Sequence, residues 1–239
     1  MNMMQKALRA VALGVAYLTV SAGAAGAQAW VYPSFQQPQT TGREYNFALA
    51  DGDFGGTSLL FQWREGYGTS GQFSMDVGYA DMDPSDGLFY LGGQYGHQLI
   101  RAGAEGPIDL MLTVGGNAGF GDGYRIFRVP VGASIGHRFP LENGLAITPY
   151  VHPRASIDII SIPDQTINGF RIEGQSDSDL NVNFDLGGSF EFSRALALRL
   201  SATLGDDDAV GLSLAFTPGG HSVAGPTRTP RPARSSRAR

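Results

Sequence analysis

Between residues 43 and 216, large apolar side chains recur at every second position. The last repeat, Val210-Gly211-Leu212-Ser213-Leu214-Ala215-Phe216, places Val, Leu, Leu and Phe on one face and Gly, Ser and Ala on the other. A period of two is the signature of a β-strand with one apolar face. The rhythm predicts about ten strands, near 43–50, 57–65, 73–80, 88–99, 110–120, 127–139, from 145, 180–192, 196–204 and 210–216. Between them lie turn formers, among them Asp51-Gly52-Asp53, Gly121-Asp122-Gly123, Glu142-Asn143-Gly144 and Asp206-Asp207-Asp208. The longest connection, 159–178, contains Asn168-Gly169 between short apolar flanks and predicts a hairpin tip. The Asp- and Gly-rich turns follow the first, third, fifth, seventh and ninth strands, so they share one end, and the longest connection is among them.

An even number of alternating strands with no helical segment between them predicts an all-β fold. The expected form is a closed antiparallel up-and-down transmembrane β-barrel of about ten strands, with eight as the runner-up. The composition of the polar face decides which face is inside. It mixes small residues with the charges Arg64, Asp76, Arg128, Arg138, Arg154, Asp185, Glu191 and Arg199. A narrow barrel interior suits small residues and paired charges, and a lipid-facing exterior suits the apolar set. Pairing among these charges, with Glu44 as a further acid, would fill the lumen, because an unpaired buried charge costs several kcal/mol. The inverse arrangement, a soluble periplasmic lipid-binding barrel with its apolar face inward, is the competing expectation.

Composition adds the compartment. Residues 1–27 read as a secretory signal: Lys6 and Arg9, then the apolar run 11–20, then Ala25-Gly26-Ala27. A retained membrane anchor is the alternative, but the apolar run is short for a span of roughly 20 residues. Residues 28–42 form an irregular lead rich in Gln, Pro and Thr, residues 43–216 the barrel, and residues 217–239 a Pro-, Ser- and Arg-rich tail expected to be disordered. There is no cysteine, which excludes a disulfide framework, a thiol nucleophile and a cysteine metal site. The net charge of -5 combines an acidic body with a tail carrying Arg228, Arg231, Arg234, Arg237 and Arg239. That tail is a candidate contact for anionic cell-wall polymer or lipid headgroups. Nucleic acid is not an expected partner.

On these residues the chain resembles the small outer-membrane β-barrels of Gram-negative bacteria, the OmpA- and OmpX-like, porin-like barrels. The resemblance spans roughly residues 43–216. It implies location in the cell outer membrane, contact with outer-membrane lipid, and recognition of the terminal strand, Val210, Leu212, Leu214 and Phe216, by the barrel-assembly machinery. Leu214 stands where the family commonly has an aromatic, and a tail follows Phe216. The resemblance also implies aromatic girdles. Trp63, Tyr67 and Phe139 are expected at the periplasmic edge, and Tyr79, Phe89, Phe120 and Phe127 at the outer edge.

Candidate chemistry is sparse. Asp81 and Asp83 have the Asp-x-Asp spacing of outer-membrane omptin proteases, but none of His97, His137, His152 or His221 stands two residues after an Asp in an outer turn. His152 and Ser156 share a face, as in lipid A deacylase barrels, yet side chains four residues apart on a strand do not touch. His152 is read as a lumen hydrogen-bonding residue, and Asp206-Asp207-Asp208 as a solvated turn. No catalytic residue, cofactor or metal site is expected. The expected role is structural or surface-interacting in the cell envelope. A narrow passive pore is the second reading, and a lipid-modifying outer-membrane enzyme a further one.

Overall fold

The computed structural model describes residues 33–52, 56–82, 85–167, 170–172, 174–206 and 208–219. The signal segment, Trp30, Tyr32, Asp83, Asn168-Gly169, Asp207, His221 and the arginine tail lie outside the described residues.

Ten long strands close into one antiparallel barrel. They are β1 (Arg43–Gly52), β2 (Thr57–Tyr67), β3 (Gly71–Met82), β4 (Ser85–Ile100), β5 (Asp109–Gly121), β6 (Tyr124–Gly136), β7 (Ala146–Ile162), β8 (Gln175–Glu191), β9 (Leu196–Gly205) and β10 (Ala209–Phe216). Each pairs with its sequence neighbour, and β10 returns to β1 with Tyr45 opposite Phe216 and Leu49 opposite Leu212. Closure removes the open edge that a flat sheet of this size would expose. A small hairpin, Gln165–Ile167 with Phe170–Ile172, stands between β7 and β8.

The register sets the size of the barrel. Followed one way from Phe47, the row of paired residues passes Phe61, Val77, Leu91, Ala118 and Phe127 and meets β7 at Ile159. Followed the other way, it passes Leu214, Leu198 and Phe190 and meets β7 at Ile147. From 147 to 159 the stagger is 12 residues. Ten strands with that stagger tilt about 40° from the barrel axis and give a backbone radius of about 10 Å, narrow enough for side chains to fill.

Turn chemistry is local. Asp122-Gly123 joins β5 to β6 as a two-residue link, with Gly123 at φ +79, a conformation that L side chains rarely adopt. At Glu142–Gly144 the sequence predicts a plain hairpin turn. The chain makes a hairpin there through a single 3-10 turn, with Phe139–Pro140 pairing antiparallel onto Ala146 and Ile147.

Two strands are longer than the alternation indicates. β7 runs on to Ile162, and β8 begins at Gln175. Their ends pair directly, Ser161 with Ser176 and Ile157 with Leu180. The alternation fades there for a physical reason. Ile160 faces inward, opposite outward Ile157 and Ile159, so both faces are apolar, while the start of β8 is polar on both faces.

Polarity is inverted relative to a soluble protein. Phe47, Leu59, Val129, Leu180 and Leu212 are among many exposed large apolar residues, Phe47 at 60 %. Arg64, Arg128, Arg199, Glu44 and Asp185 are buried. The expectation of an inward apolar face, as in a soluble lipid-binding barrel, is therefore overturned for most of the wall. One region departs from this rule. Ala48, Leu60, Ala80, Leu88, Tyr90 and Ile126 turn inward and form an apolar cluster inside the barrel, with Tyr124 and Ile160 packed against it.

Candidate functional site: the filled lumen

The eight charged residues of the polar face all sit on the lumen side, and their pairing is specific. Glu44 on β1 takes Arg199 Nη2 at 2.5 Å on one oxygen. On the other it accepts Arg199 Nη1 at 2.8 Å and Arg64 Nη1 at 3.3 Å. Asn46 donates to Glu44 at 2.9 Å and accepts from Arg199 at 2.5 Å. Arg199 lies on β9, so this pair reaches across β10 at Ser213 and clasps the seam where the barrel closes.

Higher in the lumen, Arg154 holds Asp185 at 2.8 Å, and Thr203 donates to the same carboxylate at 2.6 Å. Arg138, a quarter exposed, grips buried Glu191 through two nitrogens, at 2.9 and 2.7 Å. Asp76 accepts from Gln62 at 2.7 Å.

Arg128 has a partner that the sequence reading does not name. Asp158 accepts Arg128 Nε at 2.9 Å and Nη2 at 2.5 Å, and Asn181 adds a bond at 2.8 Å. Asp158 shares the inward parity of His152, Arg154 and Ser156. Extending the period-two count past Arg154 would have found it. Pairing of this kind is what a narrow interior requires, because removing one member leaves a desolvated charge.

The lead occupies the lumen as well, where the sequence suggests only an irregular approach. From Arg43 the chain runs back inside the wall, past Gln39 bonded to Asp109 at 2.6 Å, to Ser34 among His152, Tyr150, Ser201 and Asp185. The wall addresses its backbone as well as its side chains. The Ser34 carbonyl accepts from Tyr150 Oη at 3.0 Å and Ser201 Oγ at 2.9 Å. The Phe35 carbonyl accepts from Arg64 at 2.8 Å, and the Gln36 carbonyl from Ser134 at 2.7 Å. The Ser34 N–H donates to Asp185 at 3.2 Å, and the Thr41 N–H to Gln72 at 3.0 Å. Phe35 is buried in the apolar cluster. Nothing in the composition of residues 33–42 signals this position. It follows from which wall groups face inward with spare hydrogen-bonding capacity.

Beside the segment remains a polar cavity of about 50 Å³, bordered by Gln62, Asp76, Gln94, Thr113, Asn117 and Arg154. That is room for about three waters. His152 is fully inside. Its Nδ1 lies 2.7 Å from Ser34 Oγ, and its Nε2 3.0 Å from Thr113 Oγ1. Ser156 is not among these partners. His97 sits by Tyr95 Oη at 3.3 Å, and His137 packs edge-on against Phe139 at 4.6 Å. Among the described residues no group of three His, Cys, Asp or Glu could hold a metal. Asp206 accepts the N–H of Val182 on the neighbouring strand β8 at 2.6 Å.

The terminal-strand residues Val210, Leu212, Leu214 and Phe216 point outward and are exposed. So do Tyr67, Tyr79, Phe89, Phe120, Phe127 and Phe139, and Trp63 is half-buried on the same face. Tyr79, Phe89 and Phe120 are direct cross-strand neighbours in one row. Tyr45 links Trp63 to Phe216 in another, toward the opposite end. Phe47, Leu59, Phe61, Val77, Leu198 and Leu214 border a shallow outer depression of about 560 Å³.

No protein-family model matches the chain. No curated protein matches it either. Among solved structures it is similar to the KdgM porin in complex with disordered oligogalacturonate, at 9% identity and a TM-score of 0.39, over 73% of this chain and 98% of that one. It is also similar to the outer membrane protein Omp33 of Acinetobacter baumannii (10% identity, TM-score 0.35, covering 76% and 100%). A third is Ail, the attachment invasion locus protein of Yersinia pestis (10% identity, TM-score 0.25, covering 74% and 97%). Likenesses this remote carry nothing about ligand or partner to this chain.

Proposed function

We infer that this chain is an integral outer-membrane barrel whose lumen is closed, and that it serves the envelope as a scaffold displaying its loop end. One observation carries the reading. A belt of large apolar side chains surrounds a wall whose inner face is polar, ion-paired and filled. Water cannot solvate such a belt at acceptable cost, whereas lipid can, and every strand's backbone is paired within the closed sheet. The outward rows of Trp63, Tyr45 and Phe216, and of Tyr79, Phe89 and Phe120, suit the two interfaces as girdles. The alternating outward face of β10 suits recognition by barrel-assembly machinery. The basic tail is assigned to anionic cell-wall polymer or headgroups.

Two features favour a scaffold over a conduit or an enzyme. The lead and the ion pairs occupy the interior, and the space beside His152 is too small for a lipid or peptide substrate. The test is fractionation of expressing cells, followed by gels run with and without boiling. Outer-membrane recovery with a heat-dependent mobility shift supports the reading, and recovery in the soluble periplasm refutes it. The purified protein should then be silent in planar bilayers. Stable conductance steps from the intact chain would replace the scaffold with a pore.

A further inference from the structure

We propose that the lumen is a binding site for an extended, uncharged peptide, filled in this chain by its own residues 33–42. The inference rests on the membrane-barrel reading and goes beyond it, by assigning the interior a ligand class.

Three observations carry it. First, the wall bonds the lead's main chain at both of its ends, as well as its side chains. Tyr150, Ser201, Arg64 and Ser134 donate to three successive carbonyls, Asp185 accepts the Ser34 N–H, and Gln98 and Gln72 accept those of Thr40 and Thr41. A strand in a sheet is recognised by backbone pairing. Here wall side chains do that work, so the site reads extended conformation together with the polar side chains of Ser34, Gln36 and Gln39.

Second, the ion pairs of the wall form without the lead. Glu44 pairs with Arg64 and Arg199, Arg128 with Asp158, Arg138 with Glu191 and Arg154 with Asp185. Residues 33–42 contain no charged side chain, so the occupant supplies no counter-charge. The barrel is also closed by β1 against β10, to which the lead contributes no strand. The lead is therefore an occupant of a finished wall, not a part of it.

Third, one side chain anchors the register. Phe35 is buried against Ala48 and Leu60 in the apolar cluster, whereas the Gln37 side-chain nitrogen finds no partner. The ligand class is thus an extended peptide of Ser, Thr, Gln and Pro character with one aromatic set among polar residues.

The experiment uses the full chain with a protease site inserted between Gly42 and Arg43, folded into detergent and then cut. Native mass spectrometry is run in excess isotope-labelled synthetic peptide of residues 33–42. The expected result is one peptide per cut barrel, original or labelled, and none of the labelled peptide on the uncut barrel, whose site is already filled. A synthetic peptide with Phe35→Ala should bind about tenfold more weakly or worse, since an aromatic leaves the apolar cluster. One with Gln37→Ala should bind within about twofold, as no bond is lost.

A cut barrel that stays bare in excess peptide overturns the proposal, and so does an uncut barrel that takes up labelled peptide as readily as the cut one. A chain with no heat-dependent mobility shift before cutting fails the barrel reading itself. A shifted but bare barrel fails only the peptide site.

Discussion

Replacing Glu44 with Gln tests the clasp across the closing seam. Glu44, Arg64 and Arg199 are all buried, with 0%, 1% and 0% of their side-chain surface exposed. The carboxylate is the one anion bonded to both guanidinium groups, at 2.5 and 2.8 Å on Arg199 and 3.3 Å on Arg64. Glu44→Gln keeps the shape and removes the charge, leaving two cations facing a neutral amide. Breaking a buried pair this way costs about 3–5 kcal/mol, and with two stranded cations the upper part of that range applies. Adding Arg199→Met removes one of them, while Arg64 keeps its bond to the Phe35 carbonyl. The double variant should therefore recover about half of the loss, because replacing a buried pair by apolar groups is often close to neutral. Reversible urea unfolding in phospholipid, followed by tryptophan fluorescence, gives each stability, and the cycle gives the coupling. A single variant within about 1 kcal/mol of the parent, or a double variant worse than both singles, would refute the clasp.

Arg138→Ala should cost about 1–3 kcal/mol in the same assay, less than Glu44→Gln, because Glu191 is buried but Arg138 is a quarter exposed and water can reach the pair; a loss as large as that of Glu44→Gln would refute the burial argument. Gly187→Ala should destabilise by about 1–3 kcal/mol, since a Cβ there runs into the Tyr150 ring, and Tyr150→Ala in the same chain should relieve much of it. If Tyr150→Ala brings no relief, the clash is not the cause. Leu212→Arg should cost about 2–4 kcal/mol on the lipid face, and Leu180→Arg, far toward the loop end, about 0–1 kcal/mol. Equal penalties would mean that no depth-dependent apolar phase surrounds the barrel.

Much of the wall is legible in the chain because strand parity is a local property. Once Phe73, Met75, Val77 and Tyr79 are placed on one face, Asp76 must lie on the other, with no knowledge of neighbours. The same logic turns Arg64, Arg128, Arg154, Asp185 and Arg199 inward together. Asp158 was within its reach, and Ile160 was not, because an inward apolar residue breaks the very signal that defines the strand. Partners are a different matter. Arg199 and Glu44 are 155 positions apart in the chain, and only the stagger of the barrel brings them across Ser213 to each other.

The sequence by itself determined the alternating strands and their turns, because these are written in neighbouring residues, and the small and charged residues of the polar face pointed that face inward. Only the tertiary structure decided which charges meet, that an apolar cluster sits among them, and that residues 33–42 lie inside the wall. An irregular segment has no periodicity to reveal its destination. Ser34 reaches Tyr150, Ser201 and Asp185 because closure fixes a polar space of one chain's width. That width is set by strand number and stagger, which no single stretch of sequence contains.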